Sequence, residues 1–271
     1  RITKKDLEGY LSSGNRSIDE SSIQLPKESS LSFEFASNSK TDKLDNMRKR
    51  ISDHMRYSLN TSAHVHIMNE VDMTDIVDFV KREDASFRSK EGFNLTITPF
   101  IISSLAKVLN EMPELNSSID GDLVIQHPQI NMGIAVSVDG GLMVPSINNC
   151  DEKNLLGICR DLNDIVQKCR IKAINPDDLQ GSTFTLSNFG VFGATIGTPI
   201  INQPNVGILG TGVIKKQPVV IEKNELDIIA IRHMMMLSLG FDHRLIDGAG
   251  GALFLSKIKN NLENFNFENI L

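Results

Sequence analysis

The chain holds 271 residues, 40% of them hydrophobic and 23% charged, with 28 Lys plus Arg against 34 Asp plus Glu. That length allows one large domain or two small ones, with enough apolar content to bury a core. The net charge of −6 argues against nucleic acid as a partner, and no run of about 18 apolar residues is present to place a helix in a membrane.

In chain order, residues 1–11 form a short amphipathic piece in which Thr3 and Asp6 could cap a turn over Leu7, Tyr10 and Leu11. Residues 12–43 contain ten serines and no sustained apolar period, so they read as a flexible linker. The chain opens on Arg1 with no initiator Met, which predicts a processed or cut product of a longer protein. Globular text starts at Leu44. A basic helix is expected over 47–60, then a strand through Val65, Ile67, Val71 and Met73. Thr74 is expected to cap a helix carrying Ile76, Val77, Val80 and Phe87, and Thr98-Pro99 to start another that Pro113 stops.

Met132, Ile134, Val136 and Val138 alternate as a strand, and Asp139-Gly140-Gly141 turns the chain back into Leu142 to Ile147. A helix follows at about 152–170, then strand-like runs at 182–187, 204–221 and 226–240, and a last helix at about 248–263. Strands in runs with helices interspersed predict a mixed sheet with flanking helices. Cys150, Cys159 and Cys169 are odd in number. Cys159 and Cys169 stand ten residues apart on one expected helix, about 15 Å of rise, so all three read as small buried hydrophobes in a reducing compartment.

Two stretches could carry chemistry. In Asp242-His243-Arg244-Leu245-Ile246-Asp247-Gly248 an apolar strand ends in charge and glycine opens a helix. A histidine at such a junction is either aimed into a cleft or held structurally by its neighbouring carboxylates. In Thr183, Thr185 and Ser187, alternating with Phe184 and Leu186, three hydroxyls share one strand face. They are either donors to a developing oxyanion or a solvated face.

DHRLIDG at 242–248 matches the HxxxDG signature of the chloramphenicol-acetyltransferase-like fold, and STFTLSNFG at 182–190 resembles a segment of the 2-oxo acid dehydrogenase acyltransferases, the E2 components. MRKRISDHM, NMGIAVSVDGGLMVPSI and PNVGILGTGVIKKQPV extend the resemblance over about residues 44–271. RITKKDLEGYL is similar to the closing helix of a peripheral-subunit-binding domain, so residues 1–11 are expected to be its remnant. The resemblance implies an α/β (α+β) trimeric fold and acyl transfer between dihydrolipoyl-lysine and coenzyme A. It makes His243 the general base, Ser187 the hydroxyl donor to the oxyanion, and Asp247 a brace for the histidine loop through a structural ion pair with Arg48. Asn188, Gly212, Ile214 and Thr96 match positions along the coenzyme A pantetheine. The tight turn at 138–141 is shorter than the loop of many relatives, so the coenzyme contact normally placed there is not carried over.

Implied partners are a lipoyl domain carried elsewhere, the E1 and E3 components through the truncated binding domain, and a homotrimer building a 24- or 60-subunit core. The chain ends in Asn264 to Leu271, an apolar end whose Ile270-Leu271 terminus is expected to dock into a partner subunit. The implied location is the cytoplasm of a bacterium, or the mitochondrial matrix or a plastid in a eukaryote. Two other functions are weighed. A free-standing acetyltransferase acting on a small hydroxyl compound fits the linker and the remnant poorly. A non-catalytic E2-like scaffold would tend to have lost His243.

Three decoys carry little. Thr41-Asp42-Lys43 resembles a lipoylation turn but lacks a β-rich surround. Gly207, Gly210 and Gly212 have no helix behind them for a dinucleotide. His64 and His66 face one side of a strand without a third metal ligand, and read as surface or interface histidines.

Overall fold

In a computed structural model, the described residues are Lys4, 39–139, 141–223 and 225–268. All of the expected binding-domain remnant but Lys4, most of the expected linker, Gly140, Asn224 and the last three residues therefore lie outside them. Residues 39–43 are exposed, and Lys40 and Asp42 pair at 3.2 Å. Leu44–Leu271 forms one compact unit.

Asp45 starts that unit by accepting the Arg48 N–H at 2.7 Å, which caps helix α1 (Asn46–Thr61). Strand β1 (His64–Asp72) follows, then α2 (Thr74–Glu91). The expected cap moves here: Asp72 Oδ1 accepts both the Thr74 N–H, at 2.9 Å, and its hydroxyl. Met73 is the cap residue, buried and outside the strand. A carboxylate two residues back reaches the free N–H more directly than the Thr74 hydroxyl, which also accepts from the His233 N–H. Helix α3 (Thr98–Glu111) opens on Pro99, buries nine residues, and gives way to a short 3₁₀ turn at Pro113. A hairpin, β2 (Ser117–Asp120) and β3 (Leu123–Gln126), then turns at Gly121, whose φ of +56° suits glycine.

The expected alternating run divides into β4 (Met132–Ile134), β5 (Val136–Val138), β6 (Gly141–Met143) and β7 (Ser146–Ile147). Val138 pairs Gly141, so the hairpin is as tight as its sequence predicts. Helix α4 (Leu155–Arg170) carries Cys159 and Cys169, and all three cysteines are free and buried. Burial pushes the Cys150 thiol up to about 11 and the Cys159 thiol up to about 12. Strands β8 (Phe184–Asn188), β9 (Gly207–Thr211), β10 (Lys215–Lys223) and β11 (Leu226–Asp242) complete the sheet, and α5 (Gly248–Glu263) ends the fold. The run expected at 204–221 is thus two strands, broken at Gly212.

The sheet runs β1-β11-β9-β8-β4-β7, with β8 parallel to both β9 and β4 and the other pairs antiparallel. Strand β11 is long enough to pair β10 with its first half and both β1 and β9 with its second. Helices α2 to α5 cover the face bearing Leu186, Leu209, Leu237 and Leu239, and Phe100, Phe184, Phe241 and Phe254 fill that layer. On the opposite face Gly210 leaves room for Phe189 and Pro199, so the segment after β8 lies over it.

The two phenylalanines that precede the Ile270-Leu271 end pack on this chain. Phe267 stacks on Phe79 at 4.6 Å and Phe265 meets Phe100 edge-on at 5.1 Å, so both dock into their own chain. Buried rings on α2 and α3 supply the contact area for both. Asn269 to Leu271 lie outside the described residues.

Candidate active site

A cavity of about 1100 Å³ opens where β8 and β9 end. Thr96, Ser187, Asn188, Gly212 and Ile214 all line it, so five of the residues singled out in sequence share one cavity. The wall is shaped by close backbone approach. A Cβ on Gly190 would stand 2.4 Å from Gly212 O, and one on Gly212 would stand 2.0 Å from Thr195 O. Neither distance is tolerable, so glycine at both places lets the turn after Asn188 fold down over the end of β9.

The hydroxyl row on β8 is not a solvated face. Thr183 and Thr185 are buried. Thr183 Oγ1 accepts the Asn131 N–H at 3.0 Å, and Thr185 Oγ1 accepts from Asn205 Nδ2 at 2.8 Å. Those two hydroxyls knit β8 to its neighbours, while Ser187 reaches the cavity and stays half-exposed. The alternation that put three hydroxyls in line was legible. Their burial was not, because it depends on the segment lying over that face.

His243 is elsewhere. Ser187 is level with Gly210, and Gly210 with Ser238, so the three positions form one row across β8, β9 and β11. His243 follows β11 five residues beyond Ser238. At about 3.4 Å per residue, with two strand spacings of about 4.8 Å, the serine and histidine are about 20 Å apart within one chain. The imidazole is exposed, and its ring lies 6.0 Å from that of Phe241.

The loop that carries it is fixed by a pair sequence reasoning passed over. Asp242 is 1% exposed and accepts from Arg244 Nε at 3.0 Å and Nη2 at 2.7 Å, and from the backbone N–H groups of Arg244 and Ala63. Burial alone would raise this carboxyl. The bonds from Arg244, Ser62 and the two backbone groups outweigh it and hold the group below its ordinary range. The His243 N–H donates to Ala63 O at 2.8 Å, which ties the histidine to the start of β1. The signal was present in the text, as an aspartate and an arginine flanking the histidine.

Asp247 lies at the cap of α5, where its Oδ1 accepts the Gly250 N–H at 2.7 Å. Arg48 lies in the first turn of α1 and is exposed. His64 and His66 are internal braces and not free surface groups. His64 Nδ1 donates to Ser62 O at 3.0 Å, its Nε2 accepts the Ile201 N–H at 3.1 Å, and His66 Nε2 donates to Pro199 O at 3.0 Å. A carbonyl can only accept and an amide N–H can only donate, which sets the tautomers. Among the described residues no cluster of three metal-ligating side chains occurs.

The arrangement finds its counterparts among known proteins. The chain is 36% identical over 276 residues to the lipoamide acyltransferase component of the branched-chain alpha-keto acid dehydrogenase complex of Bacillus subtilis, covering 97% of this chain and 64% of that one. The chain thus spans less than two thirds of that relative's length. A crystal structure of a probable dihydrolipoamide acetyltransferase from Listeria monocytogenes matches with a TM-score of 0.82 and 38% identity, over 87% of this chain and 99% of that one. A dihydrolipoamide acetyltransferase of Azotobacter vinelandii, solved to investigate a serine, a histidine and an asparagine in its catalytic mechanism, matches with a TM-score of 0.78 and 31% identity, over 83% and 92%. The catalytic domain that defines the 2-oxoacid dehydrogenases acyltransferases matches residues 36–270. A mixed sheet with helices on it, a glycine-shaped cavity at the end of β8 and the histidine loop after β11 therefore make this chain a member of the 2-oxoacid dehydrogenase acyltransferase catalytic-domain family.

Proposed function

We propose that this chain transfers an acyl group between the thiol of a dihydrolipoyl arm and the thiol of coenzyme A, at a site that two copies complete together. The observation that carries this reading is the division of the machinery. One chain holds Ser187 in the wall of a cavity of about 1100 Å³ and His243 on an exposed loop about 20 Å away. The two surfaces differ, so contact between copies is head-to-tail, and a closed ring such as a trimer satisfies every site.

In that site the His243 imidazole takes the proton of the attacking thiol, which at an ordinary pKa near 8.5 is only about 3% ionised at pH 7. The sulfur attacks the thioester carbonyl, and the Ser187 hydroxyl donates to the tetrahedral oxyanion. Collapse breaks the other carbon–sulfur bond, and the departing thiolate recovers the proton from His243. The Asp242–Arg244 pair and the Ala63 carbonyl hold the imidazole's backbone, while Asp247, with Arg48, braces the following turn. The histidine and asparagine investigated in the Azotobacter enzyme have the spacing of His243 and Asp247, which supports assigning this loop to catalysis. The cavity suits coenzyme A because it is roomy, mostly apolar in its lining, and carries amides and hydroxyls as well as Ser187. A lipoyl domain, the E1 and E3 components and a larger core built from trimers are the partners this reading carries.

The test is acyl transfer from acetyl-, succinyl- and branched-chain acyl-CoA to dihydrolipoamide. Acyl-dihydrolipoamide from at least one donor is expected, and the preferred donor fixes the acyl class. No transfer from any donor by a folded, assembled protein would leave a scaffold and end this reading.

A further inference from the structure

Resting on the coenzyme A reading, we propose that the polar edge of α4, formed by Asn163, Gln167 and Arg170, sets the preference for coenzyme A over simpler thiols, with Arg170 holding a phosphate at the cavity mouth. Six residues of α4 line the cavity: Cys159, Leu162, Asn163, Val166, Gln167 and Arg170. Their spacing of three and four puts them in one stripe, about 16 Å long at 1.5 Å per residue. The stripe grades from buried to open. Cys159 is 3% exposed and Leu162 is buried, whereas Gln167 and Arg170 are exposed.

It also grades in chemistry. Cys159, Leu162 and Val166 present an apolar edge, while Asn163 and Gln167 present amides and Arg170 a guanidinium. Arg170 is the single charged side chain among the lining residues. Among the described residues, the side chains of Asn163, Gln167 and Arg170 make no hydrogen bond or ion pair, whereas neighbouring Lys168 on the same helix is engaged with Asp164 at 2.7 Å. In a chain of net charge −6, an unengaged arginine at the mouth of the main cavity needs a reason. Lys172, exposed two residues further on in the turn after the helix, adds to the local positive charge.

A ligand that matches this gradient has a thin apolar end, amides along its length and phosphate at its far end. Pantetheine carries the first two features and coenzyme A all three. Arginine recognises phosphate through paired N–H donors, and a charge-assisted contact of this kind changes affinity by about tenfold or more.

The experiment measures binding of coenzyme A, 3′-dephospho-coenzyme A and pantetheine to the assembled protein by calorimetry, for the wild type, Arg170→Gln, Arg170→Lys and the pair Asn163→Ala with Gln167→Ala. Arg170→Gln is expected to weaken coenzyme A about tenfold while pantetheine affinity is the same for both proteins, and Arg170→Lys should recover part of the loss. An equal loss for dephospho-coenzyme A assigns the contact to the pyrophosphate, and a loss for coenzyme A alone assigns it to the 3′-phosphate. The double alanine variant should weaken all three ligands together. If Arg170→Gln leaves the ratio of coenzyme A to pantetheine affinity unchanged, the assignment is overturned. Acyl transfer is measured separately: Arg170-dependent binding without transfer would uphold this inference and remove the function on which it was built, and transfer with no Arg170 effect would do the reverse.

Discussion

Ser187 and His243 belong to opposite ends of the same sheet: the serine is level with Ser238 through Gly210, and the histidine lies five residues beyond that row. No side-chain rotation closes about 20 Å. The proposed mechanism therefore takes the two groups from different copies, and mixed assemblies should show it. Chains carrying His243→Ala and chains carrying Ser187→Ala are each expected to lose transfer. Co-assembled, some interfaces bring an intact histidine to an intact serine, and part of the activity should return. Activity in a species that sediments as a monomer, or no recovery in verified mixed assemblies, would defeat the shared site.

His243→Ala alone should lower acyl transfer by at least about a hundredfold, since a positioned base typically contributes about 100- to 10,000-fold. The side chain is exposed, so thermal stability should stay within about 0.5 kcal/mol of wild type. Turnover within about fivefold of wild type would take His243 out of the mechanism.

Ser187→Ala should act on kcat and leave KM nearly constant, because its hydrogen bond tightens on the oxyanion and not on the ground-state carbonyl. A loss of about 3 kcal/mol, or about two orders of magnitude in rate, is the scale for one such donor. A raised KM with constant kcat would reassign the serine to substrate binding.

Most of the main sheet and its helices could be read from periodicity, because α3, α4 and α5 repeat their apolar positions over several turns and β1 and β8 alternate apolar with polar side chains. The hairpin at 117–126 was missed because two four-residue strands are too short to show alternation, although Asp120-Gly121 gives the turn away. The break between β9 and β10 was missed because Gly212 reads as a strand glycine until the Thr195 carbonyl is seen above it. In the site, the residue types were legible and their distances were not. Register decides that Ser187 and His243 stand apart, and register is a property of strand pairing that no single stretch of sequence contains. The brace of Asp242 by Arg244 was visible in the sequence but was overshadowed by the more familiar Asp247.

Asp242 makes acid stability a direct readout of that brace. Its carboxyl is held below the ordinary value of 3.8 in the folded state. A depressed carboxyl contributes stability that is present above the unfolded pKa and is lost as pH falls through the folded one. Unfolding free energy should thus decline below about pH 4, and Asp242→Asn should flatten that decline. Arg244→Ala should cost about 1–3 kcal/mol at neutral pH by leaving the buried carboxylate short of donors. An identical pH profile for Asp242→Asn and wild type between about pH 2 and 5 would show that Asp242 is not the group being titrated.

Two glycines separate the demands of the fold from those of the assembly. Gly212 has no room, since its added Cβ would meet Thr195 O at 2.0 Å, backbone against backbone. Gly212→Ala must push the turn over β9 outward, and overpacking of this kind costs about 1–3 kcal/mol. Gly248 is the opposite case. It is the first residue of α5, with nothing within 4 Å of an added Cβ. Alanine there restricts the unfolded chain and suits a helix, so the isolated fold should be unchanged or more stable by about 0.5 kcal/mol. The open space beside Gly248 lies five residues from His243, on the loop that the proposed shared site brings to a second copy. Gly248→Ala is therefore expected to weaken association while sparing the fold. Sedimentation at graded concentration, read beside thermal unfolding of the same samples, separates the two effects. A drop in stability for Gly248→Ala comparable to that for Gly212→Ala would mean that the loop is packed within its own chain, and the facing copy would have to be sought elsewhere.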